Sequence, residues 1–360
     1  MHNLGLARIN LSLLLPAFLL VGFSLIAFYT IDTSFFRQQS FTFLVSVFIY
    51  LLFLNLDYRI FGIYSKYLYF AMICLLLIVF FVGIEARGSA RWIEILGFRV
   101  QISEVIKPFF IIVVAHFLAN LKTKGYLAFL KTLLLLAPIF FLTLKQPDLG
   151  NGVIYLFTVL FMMVMSGFPF KHFFITGLVA ALPLPLFYNL LHNYQKVRLT
   201  SFLDLTQDPF GSSYNSIQAL ISIGSGGFWG KGFGNSTQSI LRFLPEHHTD
   251  FIFATMSENL GFIGGVIILI LYIFILYKIQ KMISVAEDTF TYLMISGFYF
   301  LLLTHIFFNI GMNIGILPIV GITLPFLSYG GSSLITNFII LGLLSNAGFA
   351  HKKHYMLEIK

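Results

Sequence analysis

Asp250 closes the polar stretch Leu244-Pro245-Glu246-His247-His248-Thr249-Asp250 and leads straight into the apolar run Phe251-Ile252-Phe253. At a helix start the positive end of the backbone keeps a carboxylate ionised, which is the state a general base requires. The same position equally suits a plain helix cap for a helix starting at Phe251. Glu258 follows two turns deeper with apolar neighbours, so it should face inward as a second candidate. Ser103-Glu104-Val105-Ile106-Lys107-Pro108 opens another apolar run with opposite charges three residues apart. That spacing sets Glu104 and Lys107 on one helix face, close enough to pair. Either the pair neutralises itself, or the lysine is held ready for an anionic headgroup. Asp148, in the turn Lys145-Gln146-Pro147-Asp148-Leu149-Gly150, caps the next helix or touches substrate. His247 and His248 are adjacent and do not share a helix face, which argues against a metal site built on both. Cys74 is the single cysteine and lies in an apolar block, so no disulfide framework or thiolate site is expected.

These groups need a scaffold, and the composition says which kind. Of the 360 residues 58% are apolar and 10% charged, with a mean hydropathy of +0.92, whereas soluble domains carry about 25% charged residues. The apolar residues fall in long blocks, each sufficient to span a bilayer as a helix, and lack the alternation of a membrane β-barrel. The expected fold is all-α and polytopic, one integral membrane domain over 1–360. Ten spans are expected near 11–30, 40–56, 67–84, 103–121, 126–144, 149–167, 172–191, 251–277, 290–311 and 330–349. The run from Leu11 reads as a first span, not a cleaved signal. Arg59, Lys66, Lys122, Lys124, Lys171, Lys278 and Lys281 collect on one side of this arrangement. That bias places both termini in the cytoplasm, and it accounts for the net charge of +8 without a nucleic-acid partner.

The segment 192–250 is then a large extracytoplasmic loop, too long for a simple connector. Within it Ile217, Leu220 and Ile221 recur at helical spacing opposite Ser216, Gln218 and Ser222, the pattern of an amphipathic helix. Glycines at 224, 226, 227, 230, 232 and 234 follow, and fit neither standard phosphate-loop pattern. Tight turns explain them, with a backbone cradle for diphosphate as the sharper alternative. The stretch 85–102 reads as a short amphipathic loop with Trp92 as interfacial anchor. Residues 311–329 are apolar but broken by Pro318 and Pro325, so they should form a re-entrant hairpin packed beside the Asp250 loop. His305 and Asn309 on the preceding span read as interhelical hydrogen-bonders.

Several motifs together carry a resemblance. Gly88–Trp92 (GSARW), Gln101–Lys107 (QISEVIK), Gln146–Gly150 (QPDLG), Tyr194–Leu203 (YQKVRLTSFL), Asp208–Gly211 (DPFG), Tyr214–Gly232, Leu244–Gly261, Asn309–Pro318 and Gly321–Ser333 (GITLPFLSYGGSS) run nearly end to end. The chain resembles the SEDS family of bacterial shape, elongation, division and sporulation proteins, and within it the elongation branch. Two departures stand out: Ile102 where the family has proline, which should alter a helix start, and Asn259 where a second glutamate is usual.

The resemblance implies a peptidoglycan glycosyltransferase that polymerises lipid II on the outer face of the cytoplasmic membrane, beside a class B penicillin-binding protein. It implies Asp250 as the essential acid and general base toward the acceptor GlcNAc 4-hydroxyl, with polyprenyl diphosphate leaving from the donor. The resemblance also implies that Glu104 and Lys107 matter. Lys107, Arg91, Arg198 and Lys231 are the candidate cations for the diphosphate, with Glu104 positioning Lys107, and Asp148, Glu258 and Ser328 complete the candidate substrate-binding set. No cofactor is named by any residue pattern, and a divalent cation at the diphosphate is the one addition this chemistry allows. A lipid II flippase and a non-catalytic scaffold for a transpeptidase are the two competing readings, since charged residues and a broken hairpin would also suit a transporter.

Overall fold

A computed structural model describes residues 9–86, 89–95, 98–181, 211, 213–241 and 243–358. Helices dominate. In chain order they are α1 (Leu11–Ile31), α2 (Thr33–Asn55), α3 (Tyr58–Ile63), α4 (Ser65–Val82), α5 (Ile102–Val105), α6 (Lys107–Ala119), α7 (Tyr126–Lys145), α8 (Leu149–Met165), α9 (Phe170–Ala181), α10 (Tyr214–Ser225), α11 (Thr237–Ile240), α12 (Ile252–Ser284), α13 (Thr289–Asn313) and α14 (Gly331–Glu358). Seven of them are long and apolar enough to cross a membrane, and the shorter apolar helices α6, α8 and α9 occupy the positions of the other expected spans. α2 starts earlier than the hydropathy suggests because Asp32 accepts from Ser34 N at 2.8 Å and caps it. α10 lies where the amphipathic pattern puts it.

Burial separates centre from rim. In α14 and α13, 78% and 67% of the most apolar window is buried inside the protein, against 22% in α4. α13 packs on α6, α8 and α12, and α14 on α2. Tyr67, Phe70 and Phe81 on α4 stay exposed, as expected for a helix facing lipid acyl chains.

Two features depart from the sequence reading. The stretch taken as an amphipathic loop is a three-stranded antiparallel sheet, β1 (Ile84–Ala86), β2 (Ser89–Ile95) and β3 (Phe98–Gln101), so the all-α expectation needs correction. Its signal is present: Phe98-Arg99-Val100-Gln101 alternates with period two, and Gly88 and Gly97 stand between the strands. The span expected from 103 is also divided, with α5 ending at Val105 and α6 starting at Lys107. Pro108 lacks the N–H that would bond Glu104 O, and Thr336 Oγ1 of α14 donates to that carbonyl instead, at 3.1 Å.

α12 carries a break that ties the glycine-rich loop to it. Gly261 sits at φ 67°, ψ −165°. A continuous helix would pair Phe262 N with Glu258 O and Ile263 N with Asn259 O. Here Lys231 N and Gly232 N donate to those carbonyls at 3.0 and 2.9 Å, while Phe262 N and Ile263 N donate to Gly227 O and Phe228 O at 2.9 and 3.3 Å. The loop thus supplies both halves of the interrupted ladder. The approach is close enough to exclude side chains. A Cβ on Gly261 would stand 2.3 Å from Gly230 N, and one on Gly230 would stand 2.3 Å from Asn259 O. Left-handed backbone at a non-glycine residue costs about 1–3 kcal/mol by itself. Gly261→Ala is therefore expected to lower the thermal midpoint of the detergent-solubilised protein, whereas Gly22→Ala on α1, with open space around it, should not; scanning fluorimetry on both variants checks this.

Candidate active site

The Asp250 loop is a tight turn. Glu246 takes a left-handed conformation (φ 53°), and its carbonyl accepts from Thr249 N at 3.1 Å and Phe251 N at 3.2 Å. Non-glycine residues rarely adopt this backbone unless the surroundings hold them there. Thr249 Oγ1 adds a bond to Glu246 Oε2 at 2.9 Å. His248 stacks on Phe35 of α2, ring centroids 4.4 Å apart.

Asp250 does not cap α12. The capping position falls to Phe251, where no side-chain bond forms, and the helix starts at Ile252. The role passes to another helix: Asn313 Oδ1 of α13 accepts from Ala254 N at 3.0 Å, filling one of the donors left over at a helix start. Asp250 O in turn accepts from Asn309 Nδ2 at 2.9 Å and Asn313 Nδ2 at 3.0 Å. The carboxylate points to the broken segment, since Asp250 Oδ2 lies 3.4 Å from where a Cβ on Gly321 would stand. Gly321 is left-handed (φ 70°) and presents no side chain there. Asp250 is partly exposed.

The segment between α13 and α14 is non-helical from Gly315 to Gly330, and its second half is buried, as at Leu324 and Leu327. It packs beside the Asp250 loop as the sequence suggests. Ser328 Oγ donates to Thr249 O at 2.7 Å and accepts from Leu324 N at 2.8 Å. Tyr329 N donates to His248 O at 2.8 Å. Asn309 Nδ2 donates to Ile322 O at 2.6 Å, and His305 Nδ1 lies 3.1 Å from Thr323 O. Ser328 is 3% exposed, so it braces the loop from behind.

The other acids are buried and surrounded by donors. Glu104 Oε1 pairs with Lys107 Nζ at 2.7 Å, and Lys107 Nζ also contacts His305 Nε2 at 2.9 Å. Lys107 is 1% exposed, so its ammonium is sealed in this arrangement. Asp148 caps α8 through Asn151 N at 3.3 Å, and its Oδ2 accepts from Gln101 Nε2, Ser103 Oγ and Asn151 Nδ2, each at 2.8 Å. Glu258, fully buried, accepts from Lys231 Nζ at 3.1 Å, Gln238 N at 3.0 Å and Ser239 Oγ at 3.0 Å. It thereby fixes α11 and the glycine-rich loop to α12. Arg91 Nε donates to Gln146 O at 2.9 Å, its guanidinium also reaches Pro147 O, and so β2 is fastened to the turn before Asp148.

Sequence reasoning therefore found the acids and the Glu104–Lys107 pair, but not the other partners. Asn313, Gln101, Ser103, Asn151 and Ser239 carry much of the network. Of these, Asn313 had a legible signal: with His305 and Asn309 it forms an i, i+4, i+8 polar stripe on an otherwise apolar helix. Arg198 lies outside the described residues. The diphosphate cradle gains no support from the loop, because the N–H groups of Gly226, Gly230, Lys231 and Gly232 already donate within the protein. Among the described residues no group of three His, Cys, Asp or Glu side chains is assembled to hold a metal ion. A cavity of about 420 Å³, lined among others by Tyr58, Arg59, Lys278 and Lys281, opens at the far end of α12 and contains none of these site residues.

Comparison with known proteins agrees with this architecture. The FtsW/RodA/SpoVE family model, described as cell cycle protein, matches residues 4–353. The peptidoglycan glycosyltransferase MrdB of Escherichia coli K12 is 38% identical over 305 residues, covering 82% of this chain and 80% of that protein. Stage V sporulation protein E of Bacillus subtilis is 36% identical over 323 residues, covering 88% and 87%. A chain from a solved peptidoglycan synthase complex that coordinates polymerization and crosslinking superposes with a TM-score of 0.84 at 27% identity, covering 96% of this chain and 98% of that one. The crystal structure of Thermus thermophilus rod shape determining protein RodA gives 0.72 at 26% identity, covering 96% and 97%. With a family model matching residues 4–353 and a fold that superposes on solved members over 96% of its length, the chain belongs to the FtsW/RodA/SpoVE family.

Proposed function

We propose that this chain is a peptidoglycan glycosyltransferase of the bacterial cytoplasmic membrane that extends glycan from lipid II for cell elongation, with Asp250 as the general base. One observation carries the assignment of the base. Of the four acids singled out from sequence, Glu104, Asp148 and Glu258 are buried at 6%, 3% and 0% exposure, and Asp250 alone is partly exposed. Family membership and the names of the relatives support the reaction class.

In this reading the GlcNAc 4-hydroxyl of the acceptor approaches Asp250, which takes its proton as the oxygen attacks the anomeric carbon of the donor MurNAc. The new C–O bond forms with inversion as the bond to polyprenyl diphosphate breaks, and the leaving diphosphate keeps the electron pair. Charge builds on the diphosphate oxygens, so fixed cations nearby lower the barrier. Arg91 and Lys231 retain exposed surface for that task, with Arg198 the further cation proposed. Lys107 reaches an anion only by leaving Glu104 and His305, so its first contribution is to hold α6 against α13.

The surrounding placement belongs to the same proposal. Ten spans form one domain with both termini cytoplasmic, the Asp250 end faces outward, and 192–250 is counted as extracytoplasmic loop. A class B penicillin-binding protein is the partner that would cross-link the product, in keeping with the synthase complex whose chain superposes on this one. Reconstitution into vesicles with purified lipid II is the test. Polymer on a gel is the expected result, and headgroup transfer across the bilayer without polymer would replace this reading with a flippase.

A further inference from the structure

We propose that Asn309 and Asn313 are positioning residues for Asp250, holding its backbone out of the α12 helix so that the carboxylate stays at the substrate side. The inference rests on the assignment of Asp250 as the base. A helix starting here would close its first turn by donating Ala254 N to Asp250 O. Neither partner makes that bond. Ala254 N goes to Asn313 Oδ1 at 3.0 Å, and Asp250 O is taken by Asn313 Nδ2 at 3.0 Å and Asn309 Nδ2 at 2.9 Å. One side-chain amide, that of Asn313, is thus inserted between the two halves of a missing helical bond, with its own carbonyl and N–H doing the work of a peptide group.

A purely structural cap would account for Asn313 Oδ1 on Ala254, but not for the second amide. Asn309 Nδ2 also donates to Ile322 O at 2.6 Å, next to the Gly321 that faces the Asp250 carboxylate. A single amide group therefore fixes both walls, the Asp250 backbone and the non-helical segment opposite it. Both asparagines are fully buried. Polar side chains in spanning helices are unfavourable in lipid and are found where they bond inside the protein. A base must be held to a fraction of an ångström, and a misplacement of about 1 Å can lower turnover on the order of 10²-fold.

The test is kinetic, on the full-length protein in lipid with purified lipid II as substrate. Asn309→Ala should lower kcat by about tenfold or more while KM changes little, because positioning of the base acts in the transition state. Asn313→Ala serves as the second variant should Asn309→Ala not give a monodisperse protein. The decisive readout is coupling to Asp250→Glu. With the loop clamped, the added methylene displaces the carboxylate and should be severely damaging; with Asn309→Ala the loop can retreat, so the same change should cost at least about tenfold less. Effects that simply multiply, or a loss confined to KM or to protein yield, would overturn the positioning role. Asp250→Asn is measured alongside to separate the two claims. Full activity in that variant removes the base assignment itself, whereas an inactive Asp250→Asn with multiplying effects removes only the clamp.

Discussion

Asp250→Asn is expected to give a protein that folds and inserts normally but yields no detectable glycan from purified lipid II. The change is isosteric and leaves in place the backbone carbonyl of Asp250 that Asn309 and Asn313 hold. What is lost is the carboxylate's ability to accept a proton. Removing a general base lowers turnover by about 10²–10⁴-fold, which takes a polymer ladder below detection. Thermal unfolding and size-exclusion behaviour should match the wild type. Near-normal polymer would show that another group deprotonates the acceptor, with the partly exposed Glu246 next to be examined.

The second large effect concerns stability. Lys107→Met is expected to destabilise the protein by about 3–5 kcal/mol, because Glu104 is left buried and charged without its ammonium. The double variant Glu104→Leu/Lys107→Met removes both charges and should recover most of that loss, since buried pairs replaced by apolar side chains are often close to neutral. Yield and melting temperature in detergent measure both. If the single variant melts like the wild type, the pair does not bind α5 and α6 to α13 in the way its geometry indicates. Polymerisation by a well-folded double variant then separates support of the fold from any direct contact between Lys107 and the diphosphate.

The helical framework was legible because long apolar blocks leave the backbone few alternatives in lipid. Glu104 and Lys107 were legible as a pair because helical spacing alone brings them together. Glu258 could be read as inward-facing, but its partners on α11 come from a loop whose path depends on the break at Gly261. The cap of α12, one of the two roles the sequence leaves open for Asp250, goes elsewhere for a similar reason. Sequence suggests a cap from the residue before the helix, whereas the bond comes from Asn313, 59 positions along the chain. The sheet at 84–101 is written in a period-two alternation only four residues long at Phe98–Gln101, a weak signal beside apolar blocks that each span a bilayer.

The stitched break in α12 also sets a length rule. Gly227 and Phe228 give carbonyls, and Lys231 and Gly232 give N–H groups, to positions that are likewise four residues apart on the helix. The side chain at Trp229 points outward and is free to vary, but Gly230, pressed against Asn259 O, and the number of residues are not. One residue inserted after Trp229 would throw the two strands of bonding out of step, and one removed would leave the helix carbonyls without donors. Substitution libraries across 228–229 should therefore be tolerated where single-codon insertions and deletions are lethal.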